Sequence, residues 1–179
     1  MHADNWANKA KQEGYRTRAV YKLEEILQKT KSLKRTQNVL DLGSAPGGWA
    51  HYIKKKSPNS VVYAIDILDM EAVDGVYFFQ NSIEEIDNID SISSKMGSFG
   101  LVISDIAPNI TGINAIDTEN IHKLNLLTLD TATKYLNKSH GSFIMKTFQN
   151  SMLKNLRKKM ELSFKIVQTF KPAASKKQS

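Results

Sequence analysis

The chain has 179 residues, enough for one domain with its own apolar core, and its 41% apolar and 24% charged residues exclude disordered and fibrous classes. It has no cysteine, no run near the roughly 20 apolar residues of a membrane span, and no apolar or Arg-rich leader in its first residues. Disulfide frameworks, thiolate metal sites and secretion are therefore set aside, and a cytoplasmic setting is expected. The net charge of +7 is unevenly spread: residues 1–36 hold nine Lys/Arg against four Asp/Glu, residues 37–145 seven against thirteen, and residues 146–179 nine against one. Basic ends around an acidic middle predict a polyanion docked on a surface built from both termini, with Arg16, Arg18 and Lys29 among the phosphate contacts.

In chain order, residues 17–27 place Ala19, Leu23, Ile26 and Leu27 on one helical face, with Lys22 at its edge. From Asn38 onward short apolar runs alternate with helical patterns. The runs at 39–42, 61–67, 76–79, 101–104, 142–148 and 164–170 predict strands, and 48–56, 83–92, 118–136 and 152–162 predict helices. Such alternation predicts an α/β fold, a mostly parallel twisted sheet with helices on both faces. One domain is expected over residues 1–179, with a basic helical segment at 1–36 and an α/β core at 37–179. The one long connection, residues 107–117, is rich in Asn, Thr and Gly and predicts a loop beside a site.

The stretch from Val39 to Trp49 is a strand, a glycine-rich turn and a helix start. Glycines there let the backbone approach a ligand at the carboxyl edge of the sheet. The next strand closes on Asp66, 19 residues after Gly47, where an acidic side chain can accept from both ribose hydroxyls of an adenosine. Gly43, Gly47 and Gly48 do not form the G-x-G-x-x-G fingerprint, and Pro46 would disturb a helix start meant for pyrophosphate. S-adenosylmethionine, an adenosine ligand without phosphate, fits better. Trp49 can either wall the cofactor pocket or fill the core.

Four segments, residues 13–23, 41–49, 104–109 and 143–149, together resemble the FtsJ-type ribose 2′-O-methyltransferases, in particular those acting on 23S ribosomal RNA. The resemblance implies a Rossmann-like class I methyltransferase fold, S-adenosylmethionine as donor, and a Lys-Asp-Lys-Glu tetrad whose first three members fall on Lys22, Asp105 and Lys146. It also implies cofactor contacts at Gly47, Trp49, Asp66 and Asp105. Ser82 stands where the family usually has an Asp near the adenine, so the contact expected there is uncharged. The tetrad's Glu and a last antiparallel strand, inserted between the strands at 142 and 164, are expected beyond Ser179. Residues 176–179 would open that connection.

A ribose hydroxyl is a weak acid, so its attack on a sulfonium methyl needs a group that accepts or steers its proton. Lys146 is the candidate, sharing a strand face with Ile144 and Phe148, where an interior amine is costly without a purpose. To act as a base it must be neutral, which a nearby Lys22 favours and Asp105 opposes; otherwise it orients the hydroxyl. No metal is required, and a monomer acting on RNA of the large ribosomal subunit is expected. The alternatives are a transfer-RNA or cap ribose methyltransferase, and a silent RNA-binding module that keeps the pocket. A nicotinamide-dependent oxidoreductase is disfavoured by the broken phosphate fingerprint.

Overall fold

The computed structural model describes residues 3–175. The elements are α1 (Ala3–Gln12), α2 (Val20–Thr30), β1 (Asn38–Leu42), α3 (Gly48–Lys56), β2 (Val61–Asp66), β3 (Val76–Gln80), a 3-10 helix (Ile83–Asn88), α4 (Asp90–Ser93), β4 (Leu101–Ser104), α5 (Asn114–Tyr135), β5 (Ser142–Met145) and α6 (Leu153–Ser163). The five strands form one sheet in the order β3-β2-β1-β4-β5, with every pairing parallel.

Parallel strands are buried on both faces, which is why β1, β2 and β4 read as near-continuous apolar runs. Successive side chains alternate between two cores. Val39, Val62, Leu101, Ile103 and Ile144 pack under Val20, Leu23 and Leu27 of α2 and Trp49, Ala50 and Ile53 of α3. Leu40, Leu42, Tyr63, Ile65 and Val102 face the other way, against Ile83, Ile86, Ile92, Ala132 and Tyr135. Below the first core, Trp6 and Tyr15 pack on Tyr21, with ring centroids 5.0 and 6.2 Å apart, so the basic amino-terminal segment is held against the sheet by aromatics.

The register decides where the site lies. Leu42 pairs with Ile65 on one side and Ser104 on the other, and Ser104 pairs with Met145. The next residues, Gly43, Asp66, Asp105 and Lys146, thus emerge along one carboxyl edge. The chain runs outward from β1 to β2 and β3, then returns for β4 and β5, so the crevice between β1 and β4 is the switch point at which open α/β sheets bind ligands.

Several expectations are corrected. The helix α1 was not foreseen, and the next begins at Val20 rather than 17, because Gly14 (φ +74°) and the turn after it link the two. The single helix expected at 83–92 is a 3-10 helix and a short α-turn, divided at Ile89, whose backbone is extended. α5 begins at Asn114, since the Asp117 carboxylate accepts from the Thr111 and Gly112 N–H groups and from the Thr111 hydroxyl, folding the end of the expected loop onto the helix. The strand expected at 142–148 ends at Met145. Residues 164–170 form no strand: a strand needs a hydrogen-bonded neighbour, and no described residue pairs with this segment, although the Phe164 ring stacks on Phe143 at 6.0 Å. The described sheet is therefore wholly parallel. Residues 176–179, expected to open a further connection, lie outside the described residues. No helix among those described is long and apolar enough to cross a membrane.

Candidate active site

The turn after β1 is built from backbone hydrogen bonds. Gly43 and Ser44 donate to the Ile65 carbonyl at 2.9 and 3.2 Å, and Gly47 donates to the Ser44 carbonyl at 2.6 Å. Gly43 has φ +73°, and a Cβ there would come within 2.6 Å of Ile106 on the neighbouring strand's extension, so no other residue fits. Gly47 precedes the first turn of α3 with φ +92°, backed by the Arg16 guanidinium and the Met70 sulfur. Behind the turn lies a small cleft lined by Thr17, Asp41, Gly43, Ser44, Gly48, Trp49 and Asp105.

Asp66 closes β2. Its Oδ2 accepts from the Ala45 amide at 2.9 Å and its Oδ1 from the Leu68 amide at 2.9 Å. Each carboxylate oxygen carries two acceptor sites, so Asp66 fixes the turn and still has capacity for hydroxyls. Gln80 pairs with Asp66 across the sheet, which brings Ser82, two residues on, to the same edge. The Ser82 hydroxyl caps the 3-10 helix by accepting from the Glu84 amide at 3.2 Å, and its proton stays available to an acceptor. Trp49 is 5% exposed in the core, borders the cleft, and donates its indole N–H to the Ala19 carbonyl at 3.0 Å. That bond ties the start of α2 to the turn, and Lys22, three residues past Ala19, is half-buried there.

Lys146 and Asp105 meet. The Lys146 Nζ lies 2.7 Å from Asp105 Oδ1 and donates to the Asp105 carbonyl at 3.1 Å, while its own N–H donates to the Ser104 carbonyl at 2.8 Å. Both side chains keep about a quarter of their surface open, 26% and 28%. The amine is thus held against Asp105, which lines the cleft, and stays within reach of solvent-borne groups. Such a pair can orient a hydroxyl and handle its proton.

Two residues have places here that sequence reasoning did not foresee. Asp41 lies within β1. It is 0% exposed and lines the cleft, and the Ser44 hydroxyl in the same lining has no hydrogen-bond partner. Burial first, then the negative charges of Asp105 and Asp66, hold the Asp41 carboxyl protonated well above its ordinary range, opposed only by the nearby Ala50 amide. The signal in the sequence was a charge inside an otherwise apolar strand. Arg16 is the other. Rather than offering its charge to phosphate, it donates to the carbonyls of Pro46, Glu71 and Ala72 at 3.0, 2.6 and 2.6 Å, lashing the glycine turn to the loop after β2. Lys29 is also engaged, with Glu25 at 2.6 Å. We expect Arg16→Ala to cost about 1–3 kcal/mol, the scale of hydrogen bonds to a charged group, read as a fall in Tm of roughly 2–4 °C per kcal/mol. An unchanged melt with weaker RNA binding would return Arg16 to the docking surface.

Among the described residues no three His, Asp or Glu side chains gather as a metal would require. An adenosine ligand with a cationic portion suits the donor set: Asp66 has acceptor capacity for hydroxyls, glycines hold the backbone open, and the buried Asp41 carboxyl can ionise opposite a positive charge.

Comparison with known proteins places the chain in a family. A family model described as FtsJ-like methyltransferase matches residues 15–179. The ribosomal RNA large subunit methyltransferase E of Dechloromonas aromatica is 37% identical, the match covering 98% of this chain and 87% of that protein. Its namesake from Psychrobacter is 39% identical over 98% of this chain and 85% of its own. A crystal structure described as a ribosomal RNA methyltransferase from Plasmodium falciparum superposes with a TM-score of 0.80 at 29% identity, covering 89% of this chain and 93% of that one. A family model over most of the chain and relatives matched over nearly its whole length show that the chain belongs to the FtsJ-like methyltransferase family.

Proposed function

We propose that this chain transfers a methyl group from S-adenosylmethionine to a ribose 2′-hydroxyl of ribosomal RNA, a uridine of the 23S RNA in the large subunit, acting as one methyltransferase domain in the cytoplasm. The observation that carries this reading is the 2.7 Å pair of Lys146 and Asp105 at the mouth of a cleft floored by the glycine turn. Gly47, Trp49, Asp66, Ser82 and Asp105 would hold the cofactor, whose sulfonium supplies an electrophilic methyl group. Lys146 receives or steers the proton of the attacking hydroxyl. Asp105 fixes the amine, and Lys22, brought to the turn by the Trp49–Ala19 hydrogen bond, completes the set that holds the ribose.

Docking of the RNA is supported by the charged ends. Lys31, Lys34 and Arg35 follow α2 on the surface, and Lys154, Lys158 and Lys159 lie exposed on α6. Phosphate contacts of this kind supply salt-dependent affinity without sequence preference. The decisive experiment maps 2′-O-methylation in RNA from a strain lacking the gene. Loss of one 23S uridine mark supports the reading, whereas loss of a transfer-RNA or cap mark moves the substrate and no loss removes the activity.

Asp66→Ala tests the cofactor side. It should weaken S-adenosylmethionine about tenfold, the roughly 1.5 kcal/mol scale of a hydrogen bond to a charged group, when titrated by calorimetry. Undiminished affinity would place the ribose elsewhere.

A further inference from the structure

Lys146 stands one residue past the end of β5. Among the described residues the ladder partner of β5 is β4. The Lys146 N–H to the Ser104 carbonyl is the last rung of that pairing, and residues 146–149 continue without regular structure. A catalytic amine borne just past the end of a strand is held by its backbone only as well as that backbone is itself held. Productive geometry tolerates about 0.5 Å of displacement, so something beyond the ladder must hold this backbone.

The side chain after Lys146 supplies the hold. Asn125 on α5 donates from Nδ2 to the Thr147 hydroxyl at 2.8 Å. Asn125 is 6% exposed, and burying a primary amide is costly unless it is hydrogen-bonded, so the bond to Thr147 has a fixed end. The helix that carries it is anchored in turn, with Ala132 and Tyr135 packed in the core beside Val102 of β4. In an extended chain, neighbouring side chains point to opposite sides. Thr147 can therefore be gripped from α5 while Lys146 reaches across to Asp105 at 2.7 Å.

We propose that Asn125 is a positioning residue for Lys146, acting through the Thr147 hydroxyl to fix the strand end from which the amine projects. This rests on the reading of Lys146 as the group that handles the ribose proton. The pair touches no reacting atom; it narrows the directions open to the amine.

The test uses the full chain with tritiated S-adenosylmethionine and unmodified large ribosomal subunits. Thr147→Val keeps shape and volume but removes the acceptor, and should lower kcat about 5–10-fold, a modest share of what misplacement can cost, with KM for the cofactor unchanged. Thr147→Ser keeps the oxygen and should restore most of that loss. Asn125→Leu should match Thr147→Val, and the double variant should be no worse than either single, as expected for two ends of one interaction. Lys146→Ala is measured alongside. If it is inactive while Thr147→Val turns over normally, the positioning role is overturned and the reading of Lys146 stands. If Lys146→Ala is fully active, both fall. Equal impairment by Ser and Val, or additive losses in the double variant, would overturn the hydrogen bond as the cause.

Discussion

Lys146→Ala is expected to bind S-adenosylmethionine normally and to lose at least about 10²-fold in methyl transfer, the usual contribution of a positioned proton-transfer group. The separation follows from the layout. The turn and Asp66 are hydrogen-bonded among themselves, by Gly43 and Ser44 to Ile65 and by Ala45 to Asp66, and none of these bonds involves Lys146. Nor should the fold suffer, because a partly exposed ion pair contributes only about 0–1 kcal/mol. A loss of turnover without a shift in melting is therefore chemical in origin. Lys146→Arg sharpens the result: arginine keeps a charge opposite Asp105 but cannot give up its proton in the working range. Retained activity in the Arg variant would assign an orienting role, and its loss would assign proton acceptance. Near-normal turnover of the Ala variant on ribosomal particles would remove Lys146 from the mechanism.

Asp41→Asn should make the ligand-free protein more stable at neutral pH and a poorer binder of its cofactor. In the folded state the Asp41 carboxyl holds its proton well above the ordinary value of 3.8, because burial and the charges of Asp105 and Asp66 disfavour the anion. A group that binds its proton more tightly when folded stabilises the fold at low pH, and that contribution is lost as pH rises through the folded value. At pH 7 the cost of retaining the proton has a ceiling near 4 kcal/mol, at about 1.36 kcal/mol per pH unit above the unfolded value. The Asn variant escapes this, so we expect it to be the more stable at pH 7, by no more than that ceiling, with the gain shrinking toward zero as pH falls to the ordinary carboxylate range. Thermal unfolding at several pH values reads it directly, and a variant no more stable than its parent at pH 8 would contradict it. Weaker S-adenosylmethionine binding should accompany the gain, because a cationic ligand in the cleft favours the ionised form of the Asp41 carboxyl, a form that an amide cannot take. Stability given up at a site that needs a charge is a common bargain in proteins.

The residues that define the cleft were legible in the sequence. A strand buried on both faces must be apolar throughout, so 39–42 and 101–104 stood out, and the glycines between Leu42 and Trp49 marked where backbone had to come close to a ligand. Asp66 was singled out because it closes such a run, whereas Asp105, Lys22 and Lys146 came from the resemblance to a family. The local signals sufficed for the fold class and for the edge of the sheet that bears the glycine turn.

Tertiary structure decided what depends on distant partners. The parallel register, not the period of any segment, sets Lys146 against Asp105, 41 residues away. Arg16 reads as a phosphate ligand until the carbonyls of Glu71 and Ala72, more than 50 residues on, claim its guanidinium. The burial of Asp41 arises only when β2, β4 and α3 close around it. Residues 164–170 have the composition of a strand but stay unpaired, because extended backbone becomes a strand only when a neighbour accepts its hydrogen bonds. Composition and periodicity record what a segment prefers; which backbone groups and charges it meets is settled by packing.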